Sequence, residues 1–533
     1  MKSLFNRIFG SNSSDSQAQH DLEQVSSSYN EQEQHSINHT PKKEQTTNRY
    51  YSSNHTPIQF MKRSLAQSSC RGAEFMKENG NKRTKLFTSG SNDSAQMGFE
   101  KKSISDSGGE WIQVHQIKGL TPTESEVILN KINVIAVGRS HSLFATTDGG
   151  IYGCGKNNYN QLGNTPTFHG TTDVELFTCM NDEILRAMKQ EKEAIRERLT
   201  SSSSSSSSNH QNALQEFLNS THFDHIYTVD HISCGWFHTL IIVNGNIILG
   251  AGHSYFGQLF GADFNKNFAV LNSKIELFNN FSNGNPYCQY TVTHSSCGTF
   301  SSCVVFNRFL IYHCGEASKG GNFAVPNCSE LKSPVRDIAQ TDASIYVMLE
   351  DHSLHCQQKE SDHFKMEQRH VAAFGGGHMS NTSYWIKEMT DNPVVTTSDQ
   401  KNMELFSVPP KLGAMEIEFF GGYYCMFGVI NKKILFMHGN KLNSAKLTDI
   451  PFTNGLFSPL ISAQSLMLST HAHNKKLAEY LFMERYNIEC VQSGCDVNLL
   501  LISEYVGNDF MKTRLLKQVT DENYQRFCDI EII

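Results

Sequence analysis

Chemistry needs groups that ionise, coordinate or attack, and in this 533-residue sequence the candidates are few enough to weigh one by one. His352, His355 and Cys356 lie close together, as do His471 and His473, but neither cluster has the paired spacing of a zinc site. Both read as surface histidines near strand ends, and no metal is expected. The run GEASKGG from Gly315 to Gly321 puts Lys319 ahead of its last glycines, whereas a phosphate-cradling loop needs the lysine after them. Ser, His and Asp are all numerous, so sequence distance singles out no triad. No catalytic residue and no cofactor is expected. The 14 cysteines sit largely inside apolar runs such as IYGCG, HISCG and SSCVVF, where a thiol behaves as a small core residue. The start MKSLFNRIFGSNSS lacks the apolar stretch of a secretory signal, so free thiols in the cytoplasm or nucleus are expected.

The elements that must carry any site are bounded by composition. Hydrophobic residues make up 38% of the chain and no run of 18 apolar residues occurs, so a folded core is expected and a membrane span is not. A net charge of -7 argues against a surface that grips nucleic acid. Residues 1–110 are rich in Ser, Asn, Gln and His without apolar periodicity, and a disordered polar tail is expected there. That segment holds 14 Lys and Arg against 12 Asp and Glu, too even a balance for a phosphate clamp; nucleic-acid binding should be weak and salt-sensitive. Within it Lys82, Arg83 and Lys85 form a candidate nuclear-localisation patch, whose plainer reading is a chance basic triplet in a solvated tail.

From about residue 133 short apolar runs alternate with Gly and Asn, and a repeat appears. Asn133–Gly163 aligns with Asp230–Gly261. In each, a Gly follows an apolar strand (Gly138, Gly235), His comes three residues later (His141, His238) and Leu two after that (Leu143, Leu240). The pairs Asp148-Gly149 and Asn244-Gly245 then favour a type I′ hairpin, because both central residues of that turn need positive φ. A second Gly follows (Gly155, Gly252), and the units end in Gln161-Leu162-Gly163 and in Gly257-Gln258-Leu259. Weaker copies keep only the spacing, so the anchors run Gly138, Gly235, Gly298, Gln340, Gly376, Gly422 and Ile461. Seven units of roughly four strands each predict blades arranged around a channel. Between the first two lies VELFTCMNDEILRAMKQEKEAIRERL followed by eight serines, within an insertion over 165–220. Phe177, Met180, Ile184, Met188, Ile195 and Leu199 recur at mostly helical spacing, so an amphipathic helix on a flexible leash is expected, folded back on the propeller or docking a partner. CDVNLLLISEYV reads as a strand closing the ring, with 491–533 as a closing strand or extension.

The Gly138-x-x-His141-Ser-Leu143 and Gly235-Trp236-Phe237-His238-Thr239-Leu240 segments, each with its Gln-Leu ending, resemble the regulator of chromosome condensation repeat family. The resemblance covers roughly residues 111–490 and implies an all-β fold: a seven-bladed β-propeller, here with a disordered N-terminal tail and a helical insertion between its first two repeats. The signature residues, Gly138, His141, Leu143, Gly155, Gln161, Leu162, Gly163, Gly235, His238, Leu240, Gly257, Gln258, Leu259, Gly298 and Gly422, read as scaffold, so function belongs to the face loops. Two other propeller families fit less well. Trp111, Trp236 and Trp385 are not followed by Asp as WD repeats require, and the double glycines of the kelch type lack their Trp. The resemblance implies three functions: a protein-interaction scaffold, a guanine nucleotide exchange factor for a Ran-like small GTPase, or a ubiquitin-ligase adaptor. With only two repeats keeping the signature, a non-catalytic scaffold is the expectation, with a protein partner such as a small GTPase. The final RFCDIEII resembles the entry strand of a BTB domain. The sequence leaves the oligomeric state open.

Overall fold

A computed structural model describes residues 82–104, 110–163, 173–201 and, with gaps of which the longest are 316–326, 405–416, 440–457 and 462–471, 212–505. Of the chain's two units, 1–60 lies wholly outside these residues and 61–533 holds the fold below. The expected disorder of 1–81 likewise lies outside them.

Seven four-stranded antiparallel sheets form the ring. Blades 1 to 6 are simple meanders over residues 132–179, 229–270, 292–330, 335–368, 373–404 and 417–461. Their first strands touch in sequence, and Tyr486–Ser493 closes the circle by contacting both blade 6 and blade 1. The second strands show why sheets form here. His141–Thr146 and His238–Val243 are buried along their whole length, as expected of strands covered on both faces by neighbouring blades. The hairpin at Asn244-Gly245 has both residues at positive φ (54° and 79°), as does Asn307-Arg308 in blade 3 (49° and 66°). At Asp148-Gly149 only Gly149 is left-handed, at 84°. The loop there is longer, since Gly149 N donates to Thr146 O and Thr146 N to Gly150 O, so the type I′ expectation is corrected for blade 1.

Blade 7 corrects two expectations, and blade 4 a third. Its two inner strands, Tyr486–Ser493 and Val497–Tyr505, come from the C-terminal end, and its two outer strands, Lys82–Gly90 and Ile112–Gln113, from the N-terminal end. Nine residue pairs from Lys82↔Tyr505 to Gly90↔Val497 zip the two ends together. The disordered-tail expectation therefore fails for 82–90, where Thr84, Leu86, Phe87 and Thr88 are buried. Polar flanks hid a strand whose apolar face has a partner only from the far end of the chain. Ile461 is no blade anchor either; it ends the outer strand Ser458–Ile461 of blade 6, and the seventh turn belongs to Gly494. In blade 4 the turn residue is Thr341 instead of Gln340. Thr341 N donates to Ser344 O at 2.9 Å, as Gly138 N does to His141 O at 2.8 Å.

Among the described residues, three helices of eight or more residues support the ring: α1 (Pro122–Leu129), α2 (Asn181–Ser201) and α3 (Ala472–Phe482). Thr121 caps α1 reciprocally: Thr121 Oγ1 accepts from Glu124 N (3.3 Å) and Thr121 N donates to Glu124 Oε2 (2.9 Å). The insertion helix begins later than its spacing suggested. Val174–Cys179 is the outer strand of blade 1, and Phe177 packs there against Phe144, with ring centroids 4.8 Å apart. α2 itself lies against the outer strand of blade 2, burying Ile184, Met188 and Ile195, and Glu183 Oε1 accepts from Phe268 N at 2.9 Å. It thus covers a strand edge that would otherwise face water. The eight-serine run falls, apart from Ser201, outside the described residues.

A chain beginning at Ser91 is expected to lose cooperative thermal unfolding that a chain beginning at Asn81 keeps, because the nine-pair zipper is what joins the ends; equal melting curves would show that blade 7 closes without it.

Candidate functional site: an aromatic ledge at the mouth of the channel

The turns between first and second strands meet around the axis. A Cβ added to Gly138 would lie 2.7 Å from Gly235 O, one on Gly235 2.6 Å from Gly298 O, and one on Gly494 2.1 Å from Gly138 O. Each is far inside van der Waals contact, so only glycine permits the blades to approach this closely. The same positions carry the histidines. His141 is folded over Gly138, within 2.0 Å of where a Cβ would stand, and His141 Nε2 lies 3.0 Å from Thr239 Oγ1 of blade 2. Blade 2 repeats the device: His238 Nε2 lies 2.9 Å from Ser302 Oγ of blade 3. Burial holds the His141 imidazole down at about 3, so it straps the blades as a neutral ring.

The remaining signature residues shape the outer loops. Asn157 Oδ1 accepts from Leu162 N (2.8 Å), Asn157 Nδ2 donates to Gly163 O (2.9 Å) and Gln161 Oε1 accepts from Tyr159 N (3.0 Å). Gln258 Oε1 likewise accepts from Phe256 N (2.9 Å), and Gln258 Nε2 donates to His253 Nδ1 (3.1 Å). Leu143, Leu162, Leu240 and Leu259 are buried, and Gly155 and Gly257 sit at positive φ in strand-end turns. Gly298 lies at the axial turn of blade 3, and Gly422 lies outside the described residues. The basic triplet is part of the strand Lys82–Gly90, not of a tail. Lys82 pairs with Glu489 at 2.7 Å, Lys85 lies over the Tyr480 ring, and Arg83 faces Glu504 across the strand pair.

One copy of the loop escaped the sequence reading. Ser91–Gly98 superposes in pattern on Lys156–Gly163: Met97 N donates to Asn92 Oδ1 (3.0 Å), Ser94 N to Gln96 Oε1 (2.7 Å), and Ala95 (φ 63°) stands where Asn160 (φ 57°) does. The signal was legible in Gly90-Ser-Asn92-x-x-x-Gln96-Met97-Gly98, which matches Gly155-Lys-Asn157-x-x-x-Gln161-Leu162-Gly163 position for position.

These loops present aromatic side chains on one face. Tyr159 lies 4.6 Å from Phe237, Phe237 stacks on Trp236 at 5.2 Å, Trp236 meets Phe300 at 5.3 Å, and Phe300 meets Phe256 at 4.6 Å. Tyr255, next along at 5.2 Å from Phe256, is 57% exposed. The Arg139 guanidinium lies over Trp236 at 4.6 Å. Beside the ledge is a small, half-open hollow with room for about one water molecule, lined by Val137, Gly138, Arg139, Cys234, Gly235, Trp236, Gly298, Thr299, Ser493 and Gly494. Its thiol, Cys234, is pushed well up by burial, so the lining offers no acid or base for work near neutrality. Among the described residues no three His, Cys, Asp or Glu side chains are placed to hold a metal. His355 contacts Ser353, Cys356 is buried, and His473 faces Glu110 at 3.7 Å; His471 lies outside the described residues. No described helix is long and apolar enough to cross a membrane.

Comparison with known proteins agrees with this architecture. The model of the regulator of chromosome condensation (RCC1) repeat matches residues 132–161, the heart of blade 1. No curated protein matches the chain in sequence. Among solved structures, human WBSCR16 is similar at 13% identity and TM-score 0.52, covering 78% of this chain and 99% of its own. Prp20p of Saccharomyces cerevisiae follows at 12% identity and TM-score 0.50, over 82% and 94%. The structure of Kap60 bound to yeast RCC1 (Prp20) matches at 11% identity and TM-score 0.51, over 90% and 99%. The chain is a seven-bladed β-propeller, and one of its blades carries the sequence of the regulator of chromosome condensation repeat.

His141→Leu is expected to lower stability by about 1–3 kcal/mol, because it removes the strap and leaves the Thr239 hydroxyl buried without it. Denaturant unfolding checks this, and a loss no larger than that of an exposed-site control would mean that the strap carries nothing.

Proposed function

We propose that this propeller is a non-catalytic protein-interaction scaffold whose partner docks on the aromatic ledge. The observation that carries the reading is the run of contacting rings from Tyr159 to Tyr255, in which Tyr255 is exposed, Tyr159 and Phe256 are half-buried on loops held by buried Gln side chains, and Trp236, Phe237 and Phe300 form the buried base beneath them. Rigid aromatic side chains lose little entropy on binding and dominate interface energetics, which suits a preformed docking surface. The adjacent hollow, with its lining of glycines and a raised thiol, supports binding over reaction.

A small GTPase is the partner class to test first. The repeat resemblance suggests it, and Prp20p, similar in fold, is described by its binding to Gsp1p and to histones. Exchange activity is the second reading, and a ubiquitin-ligase adaptor the third. The reading goes with a chain of the cytoplasm, the nucleus or both.

Binding to a panel of small GTPases, with release of a fluorescent guanine nucleotide followed in the same mixtures, separates these readings. The scaffold reading expects a complex without faster release. Tyr255→Ala is expected to weaken that complex at least about tenfold while leaving the melting temperature unchanged. Accelerated release would establish the exchange factor instead, and a complex insensitive to Tyr255→Ala and Tyr159→Ala would remove the ledge from the interface.

A further inference from the structure

Several histidines of the ring are buried or half-buried where blades 1 to 3 meet. His141, His231, His238, His253 and His294 all belong to blades 1 to 3. Two of them meet directly across the contact between blades 2 and 3. His231, on the inner strand Val229–Cys234, and His294, on the inner strand Val292–Cys297, have ring centroids 6.4 Å apart and planes within 23°. His294 Nε2 also lies 3.1 Å from Arg336 O on blade 4. Neutral hydrogen bonds hold the same seam together: Ser233 Oγ to Ser295 Oγ at 2.6 Å and His238 Nε2 to Ser302 Oγ at 2.9 Å. Above them Trp236 of blade 2 meets Phe300 of blade 3, so the aromatic ledge bridges the seam.

We propose that the contact between blades 2 and 3 is an acid-operated seam, in which proton uptake by the His231–His294 pair parts the two inner strands beneath the aromatic ledge. This inference rests on the fold and stands whether or not the ledge binds a protein.

The charges around the pair favour opening on protonation. Toward His231, the inner strand of blade 1 brings no titratable group, and the second strands of blades 1 and 2 carry only the neutral straps His141 and His238. Toward His294, blade 4 brings Arg336 and Asp337, and the hairpin turns bring Arg308 and Glu350, which pair with each other. Asp337 is itself held up at about 6, chiefly by burial, and so loses its counter-charge as acid is added. Two imidazolium ions with ring centroids 6.4 Å apart, and with the Arg308 charge acting in the same sense at His294, repel one another. The sign of the linkage follows. Burial holds both rings down at about 4, and the charge of His231 adds to this at His294, whereas a ring freed by strand separation takes up its proton near 6.5. The closed seam is favoured above about pH 6.5, and the open form gains as pH falls from there toward 4.

Hydrogen exchange of the full chain at pH 7.5 and pH 5.0, corrected for intrinsic rates, tests this. Amides of Val229–Cys234 and Val292–Cys297 are expected to exchange roughly a hundredfold faster at the lower pH, while Ala373–Gly376 and Ile417–Gly421 change far less. The double variant His231→Asn with His294→Asn should abolish the gain, and His294→Asn alone should cut it by about tenfold. Should the variants not fold, the wild-type profile still decides. A uniform gain over all blades, no gain, or a gain unchanged in a folded double variant would each overturn the proposal.

Discussion

Everything in this ring depends on how closely backbone can approach backbone at its axis. The turn residue of one blade lies against the carbonyl of the next along Gly494, Gly138, Gly235 and Gly298, at separations that exclude a Cβ. The contact then loosens: a Cβ on Gly298 would find Thr341 O at 3.7 Å. The tight run coincides with the blades that keep the Gly-x-x-His signature, or that flank them. Glycine is needed twice over there, because the histidine of the same turn folds back onto the space a side chain would occupy before reaching the next blade.

Where the signature fades, other polar atoms take its place. Blade 3 has Ser301 at the histidine position, and Ser301 Oγ donates to Gln340 Oε1 of blade 4 at 3.4 Å. Blade 4 has Ser344 there, with Thr341 Oγ1 accepting from Ser344 N at 3.1 Å within its own turn. Among the described turns the ring therefore tolerates loss of its repeat signature while the same backbone hydrogen bond is kept, as at Gly138, Gly235, Gly298, Thr341 and Gly494. This division leaves blades 1 to 3 as the tightly strapped sector, and that sector carries the aromatic ledge. Loops that present a surface are best placed where the scaffold beneath them is most rigid.

Much of the fold was legible in the residues. The two strong repeats and the succession of the first six blades follow from hairpin spacing, a local property of turns, whereas the seventh anchor fell on Ile461 and belongs to Gly494. Three features were not. Lys82–Gly90 looked like tail because a strand flanked by polar residues shows its apolar face only when a partner is known, and that partner is more than 400 residues away. Phe177 fitted helical spacing by accident of register, and its place in a strand depends on pairing with Ile151–Gly155. The ledge was invisible for a different reason: Tyr159, Phe237, Phe256 and Phe300 come from separate loops, and each alone reads as an ordinary apolar residue.

By itself the amino-acid order determined the unit: a short apolar strand, a glycine turn, a second strand and a hairpin, repeated with local hydrogen-bonding groups in fixed positions. Tertiary structure alone decided how the ends meet, which strand edge the helix α2 covers, and that histidines from successive blades lie within reach of one another. Local chemistry writes turns, because they close over a few residues. The joining of blades pairs groups tens to hundreds of residues apart, and no periodicity along the chain records which distant surface each will find.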